Sequence, residues 1–459
     1  HFESRFPFDD SPIARYETHD AQAVQARVEA AAGAYAANLR PPHDVGVRAR
    51  AEALARLADA VLAEHEALAL LITTEMGKPL AEARAEVGKC AALCRFLAEH
   101  GPRWLQAEAA PEVEVPAFVL PRPLGIVLAI MPWNLPLWQV FRAAAPALLV
   151  GNAVLLKHAP NVTGCALACE RLFASCGLEP GSFAALVVDV PAIAPLIDDP
   201  RIAGVTLTGS TRAGRAVAAA AGAAGKPVVL ELGGSDPFIV LADADLEHVV
   251  PEAVRARCLN AGQVCCAGKR FLVEERIADL FAERMAAAMT RLEPGDPRDP
   301  STVFGPMARG DLVEALDHQV RTSVAAGARI RVGGAPLARA GHWYAPTLLD
   351  EVPDGTPAAD QEIFGPVAAM WRFSDDEALI ARANASAYGL AASIWTRDAE
   401  RARRIGERLR VGGVFVNRIP TSHPALPFGG VGESGFGREL GRAGTLAFAN
   451  LQAWVVDVG

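Results

Sequence analysis

The sequence lacks the features of a membrane, secreted or nucleic-acid-binding protein. Its longest apolar stretch, Ala143 to Leu156, is interrupted by Pro146 and Gly151 and is too short to span a bilayer. The first ten residues are acidic and aromatic rather than basic and then apolar, so no signal peptide is predicted. Lysine and arginine (44) are scattered and outnumbered by aspartate and glutamate (53), giving a net charge of −9, which argues against a nucleic-acid partner. We therefore expect a soluble, cytoplasmic protein without a membrane partner.

Cysteine is sparse, and its spacing suits neither disulfide bonds nor a metal site. The eight cysteines lie at positions 90, 94, 165, 169, 176, 258, 265 and 266. The pairs 90/94 and 165/169 have helical spacing in alanine-rich segments, where buried thiols are expected. Because there is no C-x-x-C pair and no histidine nearby, no metal site is predicted. A chain of this length needs no disulfide staples, which indicates a reducing cytoplasm.

The composition is typical of a large, well-buried enzyme. The 459 residues are 51% hydrophobic and 21% charged, without an internal repeat or a low-complexity linker. One hydrophobic core rarely supports this length, so two or three domains are expected.

Two patterns of hydrophobicity follow each other along the chain. Residues 20–100 have helical periodicity, and Gly77 and Pro79 precede a second helix at 80–99. Beyond residue 126, short apolar runs alternate with helical stretches, which predicts βαβ units and parallel sheets. The expected strands are 126–130, 153–156, 185–188, 204–207, 228–230 and 238–241, then 271–273, 367–371, 392–395 and 413–416. Weak alternation at 112–122 and 451–458 predicts strands of a small sheet shared between subunits.

Four loops are expected at one edge of the first sheet, because the carboxyl ends of parallel strands meet there and ligands bind there. These loops are 131–134, 157–160, 208–211 and 231–234. The segment 209–214 follows a strand and opens a helix whose free N–H groups favour a phosphate, although a plain strand-to-helix turn has the same pattern. The segment 430–435 formally matches a dinucleotide fingerprint, but no sustained strand precedes it, so we interpret it as a decoy.

Cys265 stands where a turn can present it. It lies between an expected helix, 251–260, and an expected strand, 270–273, and Gly262 breaks the chain between them. A thiolate on such a connection can add to a carbonyl carbon if its pKa is lowered or a base takes its proton. A buried cysteine of no chemical role is the alternative reading.

Several polar residues at the expected strand ends suit catalysis or binding. Glu231 could act as a general base, or form a structural salt bridge. Asn134 suits an oxyanion hole, or a turn, and Lys157 suits ribose hydroxyls, or solvent. Arg142, eight residues beyond Asn134, suits a substrate carboxylate, or the surface.

Six motifs in order then carry a resemblance. The chain resembles the aldehyde dehydrogenase superfamily over essentially its whole length, and within it the shorter bacterial succinate-semialdehyde dehydrogenases. The motifs are Met131-Pro-Trp-Asn134, Thr208-Gly-Ser210, Glu231-Leu-Gly-Gly234, Gly262-Gln-Val-Cys265, Glu362-Ile-Phe-Gly-Pro366 and Pro427-Phe-Gly-Gly430. The stretches 156–161 and 234–238 favour the subgroup.

The resemblance implies a role for each matching residue. Cys265 would attack the aldehyde, Asn134 and the Cys265 N–H would hold the oxyanion, and Glu231 would activate water to hydrolyse the thioester. NAD or NADP would accept the hydride. The residues that would contact the cofactor are Ile130, Trp133, Lys157, Gly209, Ser210, Glu362 and Phe364. The aldehyde, if it is succinate semialdehyde, would be held through its carboxylate by Arg142, alone or with Arg418.

The resemblance also implies an α/β fold of the aldehyde dehydrogenase type. A Rossmann-type parallel sheet in a cofactor domain (1–111 and 123–230) would join an α/β catalytic domain (231–438) and a small oligomerisation sheet (112–122 and 439–459). Homodimers or homotetramers are implied.

Three positions depart from the family pattern. Pro160 stands where many NAD-preferring members carry a glutamate for the adenosine ribose, so NAD and NADP both stay open. Gly432 replaces a lysine of the closing loop, and Leu259 replaces an arginine that some succinate-semialdehyde enzymes place before the cysteine.

Other readings compete with this hypothesis. A broad-specificity aldehyde dehydrogenase would share the motifs. Acyl transfer to coenzyme A is disfavoured because Glu231 is present. A non-catalytic binding protein is disfavoured because Cys265 and Asn134 are present as well. Adjacent Cys265 and Cys266 also raise the hypothesis of a reversible disulfide that silences the enzyme, although neighbouring cysteines are often accidental.

Overall fold

The computed structural model describes residues 1–457. The α-helices within this range are α1 Ala21–Asn38, α2 His43–Ala63, α3 His65–Met76, α4 Leu80–Trp104, α5 Trp138–Val150, α6 Thr163–Ser175, α7 Ile193–Asp198, α8 Thr211–Ala223, α9 Leu246–Cys258, α10 Glu275–Thr290, α11 Gly310–Ala325, α12 Pro357–Asp360, α13 Asp376–Asn384, α14 Ala399–Gly406 and α15 Gly441–Thr445. Short 3₁₀ turns lie at Pro160–Val162, Val190–Ala192 and Leu259–Gly262. No helix in the described range is long and apolar enough to cross a membrane.

The strands form three larger sheets and two two-stranded sheets. They are β1 Phe2–Phe6, β2 Ser11–Tyr16, β3 Glu108–Ala109, β4 Ala117–Pro123, β5 Ile126–Met131, β6 Ala153–His158, β7 Phe183–Ala185, β8 Ile202–Thr208, β9 Val228–Glu231, β10 Asp236–Val240, β11 Gly268–Glu274, β12 Arg329–Val332, β13 Thr347–Asp350, β14 Val367–Phe373, β15 Tyr388–Gly389, β16 Ala391–Trp395, β17 Gly413–Val416, β18 Val431–Gly432, β19 Gly435–Phe436 and β20 Ala449–Val455.

The first large sheet has the order β19-β9-β8-β5-β6-β7, and all its strands are parallel except β19. Alternate residues of β5 face opposite sides, as the pleat requires. Val127, Ala129 and Met131 pack with helices α2, α4 and α5, whereas Ile126 and Leu128 pack with α1 and α8. Each large apolar side chain buried in this way stabilises the fold by about 1.5–3 kcal/mol. The sheet is therefore a layer between two sets of helices.

The second large sheet has the order β12-β13-β14-β11-β10-β16-β17, and only its edge strand β12 is antiparallel. Its core contains an aromatic cluster in which the ring centroids of Phe238 lie 4.9 Å from Phe271 and 5.3 Å from Trp395. Strand β11 leads directly out of the loop that holds Cys265, so this sheet fixes one side of that loop.

The predicted small sheet forms within one chain. Strands β20, β4 and β3 pair antiparallel in that order, with Leu451 opposite Pro121 and Val455 opposite Ala117. The prediction for 451–458 ends on Val458, which lies outside the described residues. Leu451 and Trp454 are exposed on β20.

Several predicted elements differ from the observed ones. Residues 20–100 form four helices rather than two long helical segments, and α3 ends at Met76 because Gly77 adopts φ 85°. The strand predicted at 185–188 is Phe183–Ala185, three residues that pair with β6. The N-terminal pair β1–β2 was not predicted, since its residues alternate too weakly to signal a strand.

Candidate active site

A strained turn presents Cys265. Helix α9 ends at Cys258, two residues earlier than predicted, and the 3₁₀ turn that follows holds Asn260 at φ 53° and Ala261 at φ 50°. Each left-handed non-glycine residue costs on the order of 1–3 kcal/mol unless its surroundings enforce it. Gly262, at φ 75°, completes the turn where a Cβ would collide with the Gly365 carbonyl group.

Hydrogen bonds hold this turn in place. The Asn260 side chain donates to the backbone oxygen of Asn134 at 2.8 Å, and the Gln263 amide donates to the Asn260 oxygen at 3.0 Å. The Gln263 side-chain oxygen accepts from the Ala308 N–H at 2.9 Å. The loop that bears the cysteine is thus fastened to the loop after β5 and to the chain before α11.

Asn134 lies beside the cysteine loop with its amide fixed. Its Nδ2 donates to the Gln263 backbone oxygen at 2.9 Å, and its Oδ1 accepts from Gln139 Nε2 at 3.1 Å. These bonds determine which end of the amide is the donor. The second N–H of Nδ2 is left for an oxyanion, which agrees with the role implied by the resemblance.

Cys265 and Cys266 interact directly. A hydrogen bond between the two thiols, together with burial, raises the pKa of Cys265 well above its usual value, and the same bond lowers the pKa of Cys266. Cys265 is therefore a thiol in the resting protein, and its reaction needs a base or a change in this pairing. Both residues are partly exposed, whereas the other six cysteines are buried.

Glu231 ends strand β9 and is nearly fully buried, with 2% of its surface exposed. Within residues 1–457 neither carboxylate oxygen has a hydrogen-bond partner. Burial raises its pKa well above the usual value, the Arg142 charge opposes that rise, and the charges of Glu439 and Cys265 add to it. Its side chain points at Gly429, where an added Cβ would lie 2.6 Å from Oε1. A buried, unbonded carboxyl of raised pKa close to a thiol is a candidate general base.

Lys269, which the sequence analysis did not single out, joins three parts of the site. Its buried ammonium donates to the Cys265 oxygen at 2.8 Å, to the Gly234 oxygen, and to Glu362 Oε1 at 2.8 Å. The sequence offered one indication that Lys269 belongs to the site, namely its position four residues after Cys265 at the start of β11.

Glu362, Trp133 and Phe364 line the side of the site assigned to the cofactor. The Gly234 N–H donates to Glu362 Oε1 at 3.0 Å, and a Cβ on Gly233 would overlap the Glu362 carboxylate. The Trp133 and Phe364 rings meet edge to face at 5.8 Å. Gly233 is therefore required by the close approach of Glu362, and Gly234 by that of the Cys265 carbonyl oxygen, which would lie 2.6 Å from an added Cβ.

The other predicted cofactor residues lie at neighbouring strand ends. Ile130 pairs with Lys157 across β5 and β6, and burial lowers the pKa of Lys157. Gly209 follows β8, and the Ser210 hydroxyl caps α8 by accepting from the Ala213 N–H at 3.3 Å. The helix thus begins where the sequence predicted an anion-binding start, at the sheet edge shared with Lys157.

Arg142 lies in α5 with its guanidinium almost wholly buried, 2% exposed, and it is not free. Its Nε forms an ion pair with Glu439, a residue that the sequence analysis did not identify, and a terminal nitrogen donates to Thr208 at 3.5 Å. The guanidinium also lies 4.9 Å from the centre of the Phe428 ring. Much of its charge is already balanced before any substrate arrives.

Arg418 lies in the late loop and lines a cavity of about 440 Å³. The cavity is bordered by Leu390, Ala391, Gly412 to Val416, Arg418, Thr421 to His423 and Leu426 to Gly429. One of these lining residues, Gly429, lies against Glu231. In the described chain no cluster of side chains suited to a metal ion is present.

Comparisons with known proteins agree with this geometry. The model of the aldehyde dehydrogenase family matches residues 1–454. The chain is 50% identical over 417 residues to the NAD(P)+ succinate semialdehyde dehydrogenase Sad of Escherichia coli strain K12, covering 91% of this chain and 90% of that protein. It is 45% identical over 407 residues to a probable NADP+ succinate-semialdehyde dehydrogenase of a Synechocystis species, covering 88% and 90%.

Solved structures are similar over the same length. The succinic semialdehyde dehydrogenase of Streptococcus pyogenes, in complex with NADP+, superposes with a TM-score of 0.97 at 32% identity, covering 99% of this chain and all of that one (100%). The predicted α/β fold of the aldehyde dehydrogenase type is confirmed. The chain belongs to the aldehyde dehydrogenase family.

Proposed function

We propose that this aldehyde dehydrogenase oxidises succinate semialdehyde to succinate with NAD or NADP, through a thioester on Cys265. The observation that carries the proposal is the convergence of the Cys265 thiol, the Asn134 amide and the unbonded Glu231 carboxyl around one turn. The relatives named succinate semialdehyde dehydrogenase, at 45–50% identity, support the substrate.

The first half of the reaction forms a bond to sulfur. Cys265 passes its proton to the Glu231 carboxylate, which releases it to solvent. The sulfur then adds to the aldehyde carbon, so that the carbonyl oxygen becomes an oxyanion. The free N–H of Asn134 Nδ2 and the Cys265 backbone N–H stabilise that charge. The nicotinamide of a bound NAD or NADP supplies the acceptor for the hydride that leaves the aldehyde carbon.

The second half releases the acid. Glu231 takes a proton from water, and the resulting hydroxide adds to the thioester carbon. The carbon–sulfur bond then breaks, the carboxylic acid leaves, and Cys265 is restored. The raised pKa of Glu231 suits this step, because it makes the carboxylate a stronger base than an exposed glutamate.

The residues at the cofactor side fit a dinucleotide. We propose that Lys157, Gly209 and Ser210 hold the adenosine and phosphate part and that Glu362 holds the nicotinamide ribose, with Ile130, Trp133 and Phe364 as apolar walls. The N-terminal end of α8, which has N–H groups not used within the helix, favours phosphate. Residue 160 is a proline on the surface rather than an acid, so nothing there repels a 2′-phosphate.

Arg142 and Arg418 are the arginines proposed to attract the substrate carboxylate. The Arg142 guanidinium packs on Phe428, which lines the cavity, and its Nε is already paired with Glu439. Arg418 lines the cavity itself. Hydrolysis rather than transfer to coenzyme A is favoured because Glu231, the proposed base, is present and its carboxylate oxygens have no hydrogen-bond partner among residues 1–457.

We also propose that the protein is a cytoplasmic homodimer or homotetramer. Its domains would be a cofactor domain (1–111 and 123–230), a catalytic domain (231–438) and an oligomerisation element (112–122 and 439–459). The exposed apolar side chains of β20, at the edge of its three-stranded sheet, support a subunit contact there.

Initial rates of NAD and NADP reduction test the function. Succinate semialdehyde, glutarate semialdehyde, butanal and benzaldehyde are compared, with Cys265→Ala as the inactive enzyme and Cys258→Ala, at a buried cysteine, as its control. A higher kcat/KM for succinate semialdehyde, lost only in Cys265→Ala, is expected. Equal rates with butanal would leave a broad-specificity aldehyde dehydrogenase, and turnover by Cys265→Ala would reject the mechanism.

A further inference from the structure

Lys89, on helix α4, has an unusual environment for a lysine. It is partly buried, and its ammonium donates to Ser422 Oγ at 2.7 Å. It also lies 4.2 Å from the centre of the Trp138 ring, whose own N–H donates to the same hydroxyl at 3.1 Å. Two donors therefore converge on one serine oxygen.

Lys89 lacks the carboxylate partner that a buried ammonium normally has. The acid one turn away, Glu86, is already held by Lys78 and accepts from the N–H groups of Leu137 and Trp138 at 2.9 Å. Among residues 1–457 no carboxylate lies within ion-pair distance of Lys89. Its positive charge therefore has no ion-pair partner, and its contacts are the Ser422 hydroxyl and the Trp138 ring.

Ser422 connects Lys89 to the reacting groups. This serine lines the cavity of about 440 Å³, whose other lining residues include Phe428 and Gly429. Gly429 adjoins Glu231, and the Phe428 ring lies against the Arg142 guanidinium. Ser422 therefore lines the same cavity as Gly429, the residue beside the Glu231 carboxyl.

We propose that Lys89, acting with Ser422, binds the remote carboxylate of the substrate as a third cation beside Arg142 and Arg418. This inference rests on the proposed function and adds to it the residue that distinguishes a carboxylated aldehyde from an uncharged one. Leu259 supplies no charge at the position of the missing arginine, and Glu439 offsets the charge of Arg142. Lys89 is a half-buried cation bonded to a serine that lines the cavity, and an arriving carboxylate would neutralise its charge.

The bonding around Ser422 suits this role. A hydroxyl that accepts from Lys89 and from Trp138 has its own hydrogen free to donate. A carboxylate in the cavity can accept that hydrogen and face the ammonium behind it. A bond to a charged partner in a partly buried site is stronger than the same bond in water.

Substrate discrimination by variants at position 89 tests the proposal. In Lys89→Met, kcat/KM for succinate semialdehyde is expected to fall roughly ten- to hundredfold, mainly through KM, while butanal changes by less than about threefold. Lys89→Gln, which is neutral but polar, is measured as well. If one of the two variants misfolds, the other still tests the proposal. Lys89→Arg should recover part of the preference, and Arg95→Gln, on the exposed face of the same helix, should change neither substrate.

The outcomes separate the two claims. If the wild type prefers succinate semialdehyde and Lys89→Gln keeps that preference, Lys89 is not the ligand and the proposed function stands. Equal losses on both aldehydes would mean that Lys89 supports the fold or the thiol, which also overturns the proposal. If the wild type does not prefer succinate semialdehyde over butanal, the proposed function and the role of Lys89 fail together.

Discussion

Lys269 and Glu362 form an ion pair of 2.8 Å, and the same ammonium donates to the backbone oxygen of Cys265. One buried cation therefore links the carboxylate assigned to the nicotinamide ribose with the loop of the nucleophile. The proposed cofactor contact and the cysteine loop therefore share one buried cation.

Replacing Lys269 with methionine should weaken both functions of the site. Each lost bond to a charged group is worth about 1.5–3 kcal/mol, so KM for NAD or NADP is expected to rise and kcat to fall, by roughly ten- to hundredfold in kcat/KM. Steady-state kinetics with varied cofactor measure it. Lys226→Met, at a lysine that binds the Ile197 and Asp199 oxygens instead, serves as the control. Unchanged kinetics in Lys269→Met would show that the contacts of Lys269 with Glu362 and Cys265 contribute to neither cofactor binding nor turnover.

Removing Cys266 should activate Cys265 toward alkylation. The hydrogen bond with Cys266 is the main cause of the raised pKa of Cys265, so Cys266→Ala lowers that pKa and increases the thiolate fraction at pH 8. Each unit of pKa corresponds to about a tenfold change in thiolate while the thiol form dominates. The rate of Cys265 carbamidomethylation by iodoacetamide, followed by mass spectrometry, checks this. A slower or equal rate would contradict the assigned direction.

Introducing a carboxylate at position 160 should disfavour NADP. Pro160 is exposed and begins the 3₁₀ turn directly after β6, so a glutamate side chain has room there. Repulsion of the 2′-phosphate is expected to lower kcat/KM for NADP by about tenfold or more while NAD use is kept. Pro160→Gln, which lacks the charge, separates electrostatics from the loss of proline. Parallel losses for both cofactors would show a conformational effect instead.

Discrimination by Lys89 should depend on pH. Burial lowers its pKa to about 8; Cys266, Cys90 and Glu86 oppose this lowering, and Arg142 adds to it. Because the ammonium is charged below that pKa, the preference for succinate semialdehyde over butanal is present at pH 7 and declines above pH 8. The ratio of the two kcat/KM values, followed from pH 6.5 to 9.5, measures this preference. Titration of Cys265 and Glu231 affects both substrates equally and so does not change the ratio. A ratio that stays constant would contradict the assignment.

Much of the site could be predicted because its residues follow buried strands. The apolar runs that became β5, β6, β8 and β9 fixed where Asn134, Lys157, Ser210 and Glu231 would meet, since parallel strands end at a common edge. The connection holding Cys265 was predicted from the change between helical and strand patterns at Gly262.

Pairings between distant residues could not be predicted. The ion pair of Arg142 with Glu439 joins α5 to the segment before α15, and no local pattern marks either partner. The bond between Lys89 and Ser422 spans 333 residues. Such contacts depend on how the layers pack, which periodicity does not encode. The left-handed Asn260 and Ala261 were also missed, because alanine rarely adopts positive φ and asparagine signals it less strongly than glycine does.

The most direct test of the mechanism is mass spectrometry of Glu231→Gln after mixing with NAD or NADP and succinate semialdehyde. The buried carboxyl next to Gly429 is assigned to hydrolysis, so the variant should accumulate a succinyl thioester on Cys265 and release one equivalent of reduced cofactor per active site. Steady turnover with no adduct on Cys265, or an adduct on Cys266 in its place, would contradict the mechanism.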